Sequence, residues 1–240
     1  MKTFIKLIIL NIVFLSGCVL ATGQYHFTLQ GGVGGQDLPT AAQDYDVLPR
    51  IYQNPYNQGD NGYWVWRIAG GYAVDMTSKF SLGYDLGYAN LSNNTFQDIE
   101  MDNDISNMYT WTAKWRASYL DLLVTTKYKF TSHFSLLGDL GVAEIMQKVS
   151  WQLMQTQFPR VRSGPIENQL GAASTMTSKL APEIAFGFAY QIFTHLDLSF
   201  TYHYIFADNI GFSESELSGI TNSHKVATIS NTFLGVNFLF

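Results

Sequence analysis

Beyond residue 21 the sequence holds no unbroken apolar run of the roughly 18 residues that a membrane-spanning helix needs, which excludes a bundle of transmembrane helices. Cysteine is nearly missing as well. The one copy, Cys18, falls inside the first 21 residues, so the remainder has no disulfide framework and no thiolate metal site. Charged residues make up only 14% of the chain, against about a quarter in ordinary soluble domains. The scarcer sign is positive: 14 Lys and Arg stand against 19 Asp and Glu, with no basic run. Such a chain lacks the electrostatic footprint of a nucleic-acid binder.

What the 240 residues do contain is apolar but interrupted. Hydrophobic residues reach 47%, with 17 Phe and 14 Tyr dominating the aromatics, and 20 Gly are spread among them. The chain opens with a leader: Lys2 and Lys6, an apolar stretch from Leu7 to Leu15, then small residues. The apolar stretch is too short for an anchor and reads as a secretory signal peptide over 1–21. Two cleavage readings are open. Val19-Leu20-Ala21 and Ala21-Thr22-Gly23 fit an ordinary site near 21–23, which is favoured because a full barrel needs no lipid anchor. Leu15-Ser16-Gly17-Cys18 fits a lipobox cleaved before Cys18. Removal of 1–21 takes away two lysines and no acid, leaving 12 basic and 19 acidic residues and a net charge of −7.

From residue 24 to 240 the pattern has period two. Trp64, Trp66, Ile68, Gly70, Tyr72, Val74 and Met76 alternate with Val65, Arg67, Ala69, Gly71, Ala73 and Asp75. After Thr77-Ser78-Lys79, Phe80, Leu82, Tyr84, Leu86 and Tyr88 alternate with Ser81, Gly83, Asp85, Gly87 and Ala89. Successive side chains of a strand point to opposite faces, so one face is bulky and apolar and the other small or charged. The unit recurs on either side of Thr131-Ser132-His133, with a look-alike turn (TSKFSLGYDL and TSHFSLLGDL), and again across 183–206. Tyr25–Val33 and Thr232–Phe240 supply a strand at each end. The expectation is all-β: an eight-stranded antiparallel up-and-down transmembrane β-barrel with short periplasmic turns and long extracellular loops, the latter near 37–61, 93–114, 151–177 and 208–223. A closed barrel is required because lipid satisfies no strand edge. A soluble sandwich or lipocalin-type barrel has the same alternation but would need a wider hollow for these aromatics.

The inner parity collects Arg67, Asp75, Asp85, Asp121, Lys127, Lys129, Asp139, Glu183, Asp197 and His203. Buried charges must pair, and eight strands enclose little space. These residues are therefore expected to fill the lumen as an ion-paired network, with Arg67 pairing one or more acids, rather than to line a pore. Asp98, Glu100, Asp102 and Asp104 alternate in the second loop but lack the glycine of an EF-hand, so no metal site is expected. Arg160 and Arg162, with Lys148, Lys179, Lys114 and Arg116 near the same rim, are candidate contacts for lipopolysaccharide phosphates. The Tyr- and Asn-rich first loop (Tyr45, Tyr52, Pro55, Tyr56) suits an adaptable binding surface or an ordinary exposed loop. His203 and His224 sit in no catalytic motif.

The leader, the eight alternating strands and the closing segment NTFLGVNFLF, ending in Phe240, resemble the OmpA-like and opacity-type outer-membrane barrel families. The resemblance implies an outer-membrane location in a Gram-negative-type envelope. It implies roles in envelope integrity, adhesion or small-solute passage, and a terminal signal, Phe238 and Phe240, read by the barrel assembly machinery; outer-membrane lipid and lipopolysaccharide are the expected partners. It carries over no catalytic residue, cofactor or metal. The expected function is a non-enzymatic surface barrel whose loops mediate adhesion, host or lipid contact, or envelope stabilisation. A narrow porin-like channel is the alternative, and an outer-membrane lipid-modifying enzyme a weaker third.

Overall fold

The computed structural model describes residues 23–36, 62–101, 107–157, 165–207 and 228–240. The strands are β1 (Gly23–Gln36), β2 (Gly62–Asp75), β3 (Phe80–Leu91), β4 (Asn94–Met101), β5 (Asn107–Lys129), β6 (Phe134–Gln157), β7 (Ile166–Phe193), β8 (Leu196–Ile205) and β9 (Ile229–Leu239). β3 and β4 both pair with β5, at Asn90↔Ser118 and Asn94↔Trp115, so they are one wall strand broken at Ser92 and Asn93. Ser92 bridges the break by donating its N–H to the Trp64 carbonyl (2.7 Å) while its Oγ accepts the Trp64 N–H (3.0 Å). Every pairing is antiparallel, and β1–β9 closes the ring, giving an eight-stranded barrel without a free edge in its wall.

The two look-alike turns fold alike. Thr77 Oγ1 accepts the N–H groups of Lys79 and Phe80, at 3.2 and 3.0 Å. Thr131 Oγ1 accepts those of His133 and Phe134, at 3.3 and 2.9 Å. A threonine hydroxyl thus caps each short turn in place of a longer loop, and in both cases the aspartate eight residues on (Asp85, Asp139) lines the lumen.

The outer face is apolar around the ring. Tyr25, Phe27, Trp66, Ile68, Leu86, Val124, Leu136, Phe186, Phe188, Phe200 and Phe238 are all exposed there, and Trp64 and Leu140 are 73% and 64% exposed. Monomers that meet only water do not carry a continuous belt of this kind, whereas a barrel in lipid must. Aromatics gather at the two borders of the belt: Tyr25 against Tyr72 and Phe134 against Tyr190 by the short turns, Trp66 against Tyr88 and Tyr204 against Phe206 toward the other rim.

Two of the four intervals expected as loops are mostly strand. β5, β6 and β7 run for 23, 24 and 28 residues, more than twice the 9–11 or so that cross hydrocarbon. Their far ends pair only with one another and with β4, as at Asn107↔Gln157, Gln157↔Ile166 and Met101↔Met108. A four-stranded ribbon therefore stands above the barrel. Where β5 enters it, the faces exchange character. Leu120, Leu122 and Val124 point outward below, but above them Trp115, Ala117 and Tyr119 are buried inside while Lys114 and Arg116 are exposed outside. Once the strand leaves the hydrocarbon, the outer face meets polar surroundings and the alternation reverts to apolar-in.

Candidate functional site: the stacked lumen

The lumen is built in three levels. At the short-turn end lies a polar cavity of about 280 Å³ lined by His26, Asp85, Lys127, Asp139, Asp197 and their neighbours. It opens between the turn-end residues Gln24, Asp75, Lys129 and Thr194. Lys127 Nζ contacts Asp197 Oδ2 at 2.5 Å, Asp75 accepts from Ser81 Oγ, also at 2.5 Å, and His26 pairs with Asp85. Asp139 and Lys129 line the same cavity, and Lys129 and Asp75 sit at its mouth.

The middle level is a buried ion-pair layer. Arg67, 2% exposed, faces Asp121, 1% exposed, through two parallel bonds: Nε to Oδ2 at 2.7 Å and Nη2 to Oδ1 at 2.6 Å. Nη1 donates to Gln30 Oε1 (2.9 Å), and Gln30 in turn donates to Thr201 Oγ1 (3.1 Å). Asp85 Oδ2 lies 3.9 Å from Nη2 and links this layer to His26 below. Beside it His203 Nδ1 and Glu183 Oε1 share a hydrogen bond of 2.8 Å, and both side chains are buried. Gly87 permits the reach: it stands opposite Asp121 in the wall, and a Cβ there would come within 2.5 Å of both Arg67 Nη2 and Asp121 Oδ1.

The upper level is aromatic. Tyr63, Trp115, Tyr119 and Phe233 are buried together with Val65, Leu91, Ile145, Ile205 and Ile229. Tyr63 donates its hydroxyl to Asn231 Oδ1 (2.9 Å) and to the Gly35 carbonyl (3.1 Å), and Asn231 Nδ2 donates to Tyr119 Oη (3.0 Å). The Phe233 ring meets the His203 ring edge-on, centroids 5.1 Å apart, which joins this level to the one beneath. The rings of Tyr63 and Trp115 pack at 5.8 Å. Among the described residues the cavity ends at the ion-pair layer.

The inner parity read from the sequence supplies the two lower levels, but His26, Gln30 and the whole aromatic level were missed. The signal for Trp115 and Tyr119 is the exchange of faces along β5, which begins just beyond the interval 93–114 expected as a loop; His26 and Gln30 stand on the polar parity of β1, where no strong charge pattern marks them. Phe233 showed itself as an apolar break in an otherwise polar parity. Lys114, Arg116 and Lys148 are exposed on the outer face, whereas Lys179 lies on the inner parity. Phe238 is outward and 6.5 Å from Phe27, and the Phe240 N–H donates to the Tyr25 carbonyl at 2.9 Å. Residues 1–21 with Cys18, the stretches 37–61 and 208–223 with Tyr45, Tyr52, Pro55 and Tyr56, and Asp102, Asp104, Arg160, Arg162 and His224 lie outside the described residues. Among the described residues no group of three or more His, Cys, Asp or Glu is placed to hold a metal ion.

No protein-family model matches the sequence, and no curated protein matches it. Solved structures do. The attachment invasion locus protein Ail of Yersinia pestis is similar at 9% identity and a TM-score of 0.39, over 90% of this chain and 98% of that one. Neisserial surface protein A is similar at 10% identity and a TM-score of 0.43, over 90% and 97%. The N-terminal β-barrel domain of Pseudomonas aeruginosa OprF is similar at 10% identity and a TM-score of 0.37, over 91% and 100%.

Proposed function

We propose that this chain is a non-enzymatic surface barrel of a Gram-negative-type outer membrane, with a lumen that is closed and a ribbon that makes the outward contacts. The observation that carries this reading is the stack itself. The Arg67–Asp121 layer and the aromatic level above it lie in series across the bore. Both would have to be displaced before a solute passed, and parting a buried ion pair strands a charge in a low-dielectric interior. A narrow channel is therefore disfavoured. The short turns face the periplasm, since an even strand count puts both barrel ends on that rim. The ribbon of β4–β7 then projects outward, available for adhesion, host or lipid contact, or envelope stabilisation. Arg160 and Arg162, which lie between β6 and β7 in sequence, are the proposed phosphate contacts of this region. The leader 1–21 delivers the chain to the envelope, and mass spectrometry of the mature N-terminus distinguishes cleavage near 21–23 from a diacylated Cys18.

The test is single-channel conductance of the refolded barrel in a planar bilayer. Inserted protein that stays silent supports the closed surface barrel. Discrete, reproducible steps overturn it in favour of the channel. Replacing 151–173 with a short turn should leave a folded, silent barrel and remove surface contact.

A further inference from the structure

The outer face just above the lipid-facing belt carries a cationic cluster that the lumen does not use. Arg116 and Lys148 stand directly opposite each other on β5 and β6, both exposed. Lys114, two residues farther along β5 on the same face and opposite Ser150, is exposed too. Like charges placed directly across a strand pair repel. Among the described residues none of these three has an ion-pair partner. Such an arrangement is relieved by an anion supplied from outside.

Its surroundings say which anion. Toward the belt, the same face continues through Leu120 and Leu180 to Leu122, Val142 and Leu140. Glu144, opposite Leu120 and four residues along β6 from Lys148, marks the lower border of the cationic tier. Away from the belt, a groove of about 470 Å³ opens, lined by Thr112, Lys114, Ser150, Gln152, Gln169, Ala172 and Ser174. Ser150 and Ser174 already share a hydrogen bond across it at 3.2 Å. Along one outer face the order is thus apolar, cationic, then hydroxyl and amide.

We propose that this face binds a phosphorylated glycolipid: acyl chains on the leucine tier, a phosphate monoester among Arg116, Lys148 and Lys114, and sugar hydroxyls in the Thr112–Ser150–Gln152 groove. Adjacency to the belt selects a lipid over a soluble anion. Three cations match a monoester, which carries about −1.5 to −2 charges at neutral pH, better than a singly charged diester. The guanidinium adds a planar fork for two phosphate oxygens, and the two ammonium groups complete the charge. The proposal rests on reading the chain as an outer-membrane barrel, and it deepens that reading by giving the ribbon base a ligand class.

The experiment uses the whole barrel, refolded in neutral phosphocholine micelles, and native mass spectrometry. Three probes are offered: an acylated glucosamine disaccharide bearing phosphate monoesters, its dephosphorylated form, and phosphatidylglycerol. The expected result is retention of the first, with the other two held at least about tenfold more weakly. The combined Lys114→Gln, Arg116→Gln and Lys148→Gln variant should lose that preference while keeping its heat-modifiable gel mobility, and Lys79→Gln on the opposite rim should behave as the parent. Equal retention of all three probes, or an unchanged preference in the triple variant, overturns the assignment. A barrel that is silent in the bilayer yet retains no phosphorylated glycolipid overturns this inference and leaves the closed-barrel reading standing; a conducting barrel that retains it does the reverse.

Discussion

Arg67 and Asp121 come from wall strands that are not neighbours, β2 and β5, and meet across β3 through two bonds of 2.7 and 2.6 Å. Because the pair is buried and doubly bonded, removing Asp121 leaves the Arg67 guanidinium out of solvent with only Gln30 Oε1 at 2.9 Å and the more distant Asp85 carboxylate at 3.9 Å. Asp121→Ala should therefore destabilise the barrel by about 3–5 kcal/mol. Replacing both, as Arg67→Met with Asp121→Leu, should recover most of that loss, since a packed apolar pair avoids the desolvation that the ion pair must offset. Urea unfolding in phosphocholine vesicles, followed by gel mobility, checks both. A double variant no better than the single would contradict the account.

The pair depends on an absent side chain. At Gly87 an added methyl would press on both charged groups, whereas at Gly31, on the outer face, a Cβ would meet nothing within 4 Å. Gly87→Ala should cost about 1–3 kcal/mol through overpacking, and Gly31→Ala should be close to neutral. The same unfolding assay compares the two. Equal effects would mean that glycine is needed in the wall generally, and not at this crossing.

The barrel was legible in the sequence wherever the two faces differ strongly. From Trp64 to Tyr88 one parity is bulky or apolar except at Gly70 and the turn residue Ser78, and the strand residues between are small or charged except Val65, which fixes parity and hence which charges enter the lumen. Arg67, Asp85 and Asp121 could be placed inside on that ground alone. Their partners could not, because Arg67 reaches two strands around the ring, and that distance is set by strand tilt and stagger rather than by any local pattern. The aromatic level was hidden for a different reason. Trp115, Tyr119 and Phe233 have the same chemistry as the lipid-facing aromatics, so composition does not separate an inward ring from an outward one. For Trp115 and Tyr119 only the change of polarity at their neighbours Lys114, Arg116 and Ser118 marks the border, and that signal is short and adjoins the interval 93–114 whose length suggests a loop.

The aromatic level makes its own prediction. Phe233 is fully buried between the Tyr63–Trp115 pair and His203. Phe233→Ala should cost about 3–5 kcal/mol, as large-to-small changes in packed interiors do. It should nevertheless leave the bilayer silent, because the Arg67–Asp121 layer lies beneath. Adding Arg67→Ala and Trp115→Ala removes obstruction at both levels, and brief conductance steps are expected only then. Steps from Phe233→Ala alone would show that the ion-pair layer does not seal the bore.

A substitution at Phe240 tests folding and delivery separately. Its ring is 74% exposed at the rim, and what ties the residue to the barrel is its backbone N–H on the Tyr25 carbonyl. A substitution that keeps the backbone bond should leave the finished barrel nearly unchanged, within about 0.5 kcal/mol, as for other exposed positions. If the terminal aromatic is the signal that assembly machinery reads, Phe240→Ala should refold into vesicles at the parental rate and yield, yet accumulate several-fold less as heat-modifiable barrel in cells. Phe238→Ala tests the same signal at a position that also packs on Phe27, so it should lower both yields. A parallel loss for Phe240→Ala in vesicles and in cells would assign the residue to barrel stability; no loss in either would remove it from the assembly signal.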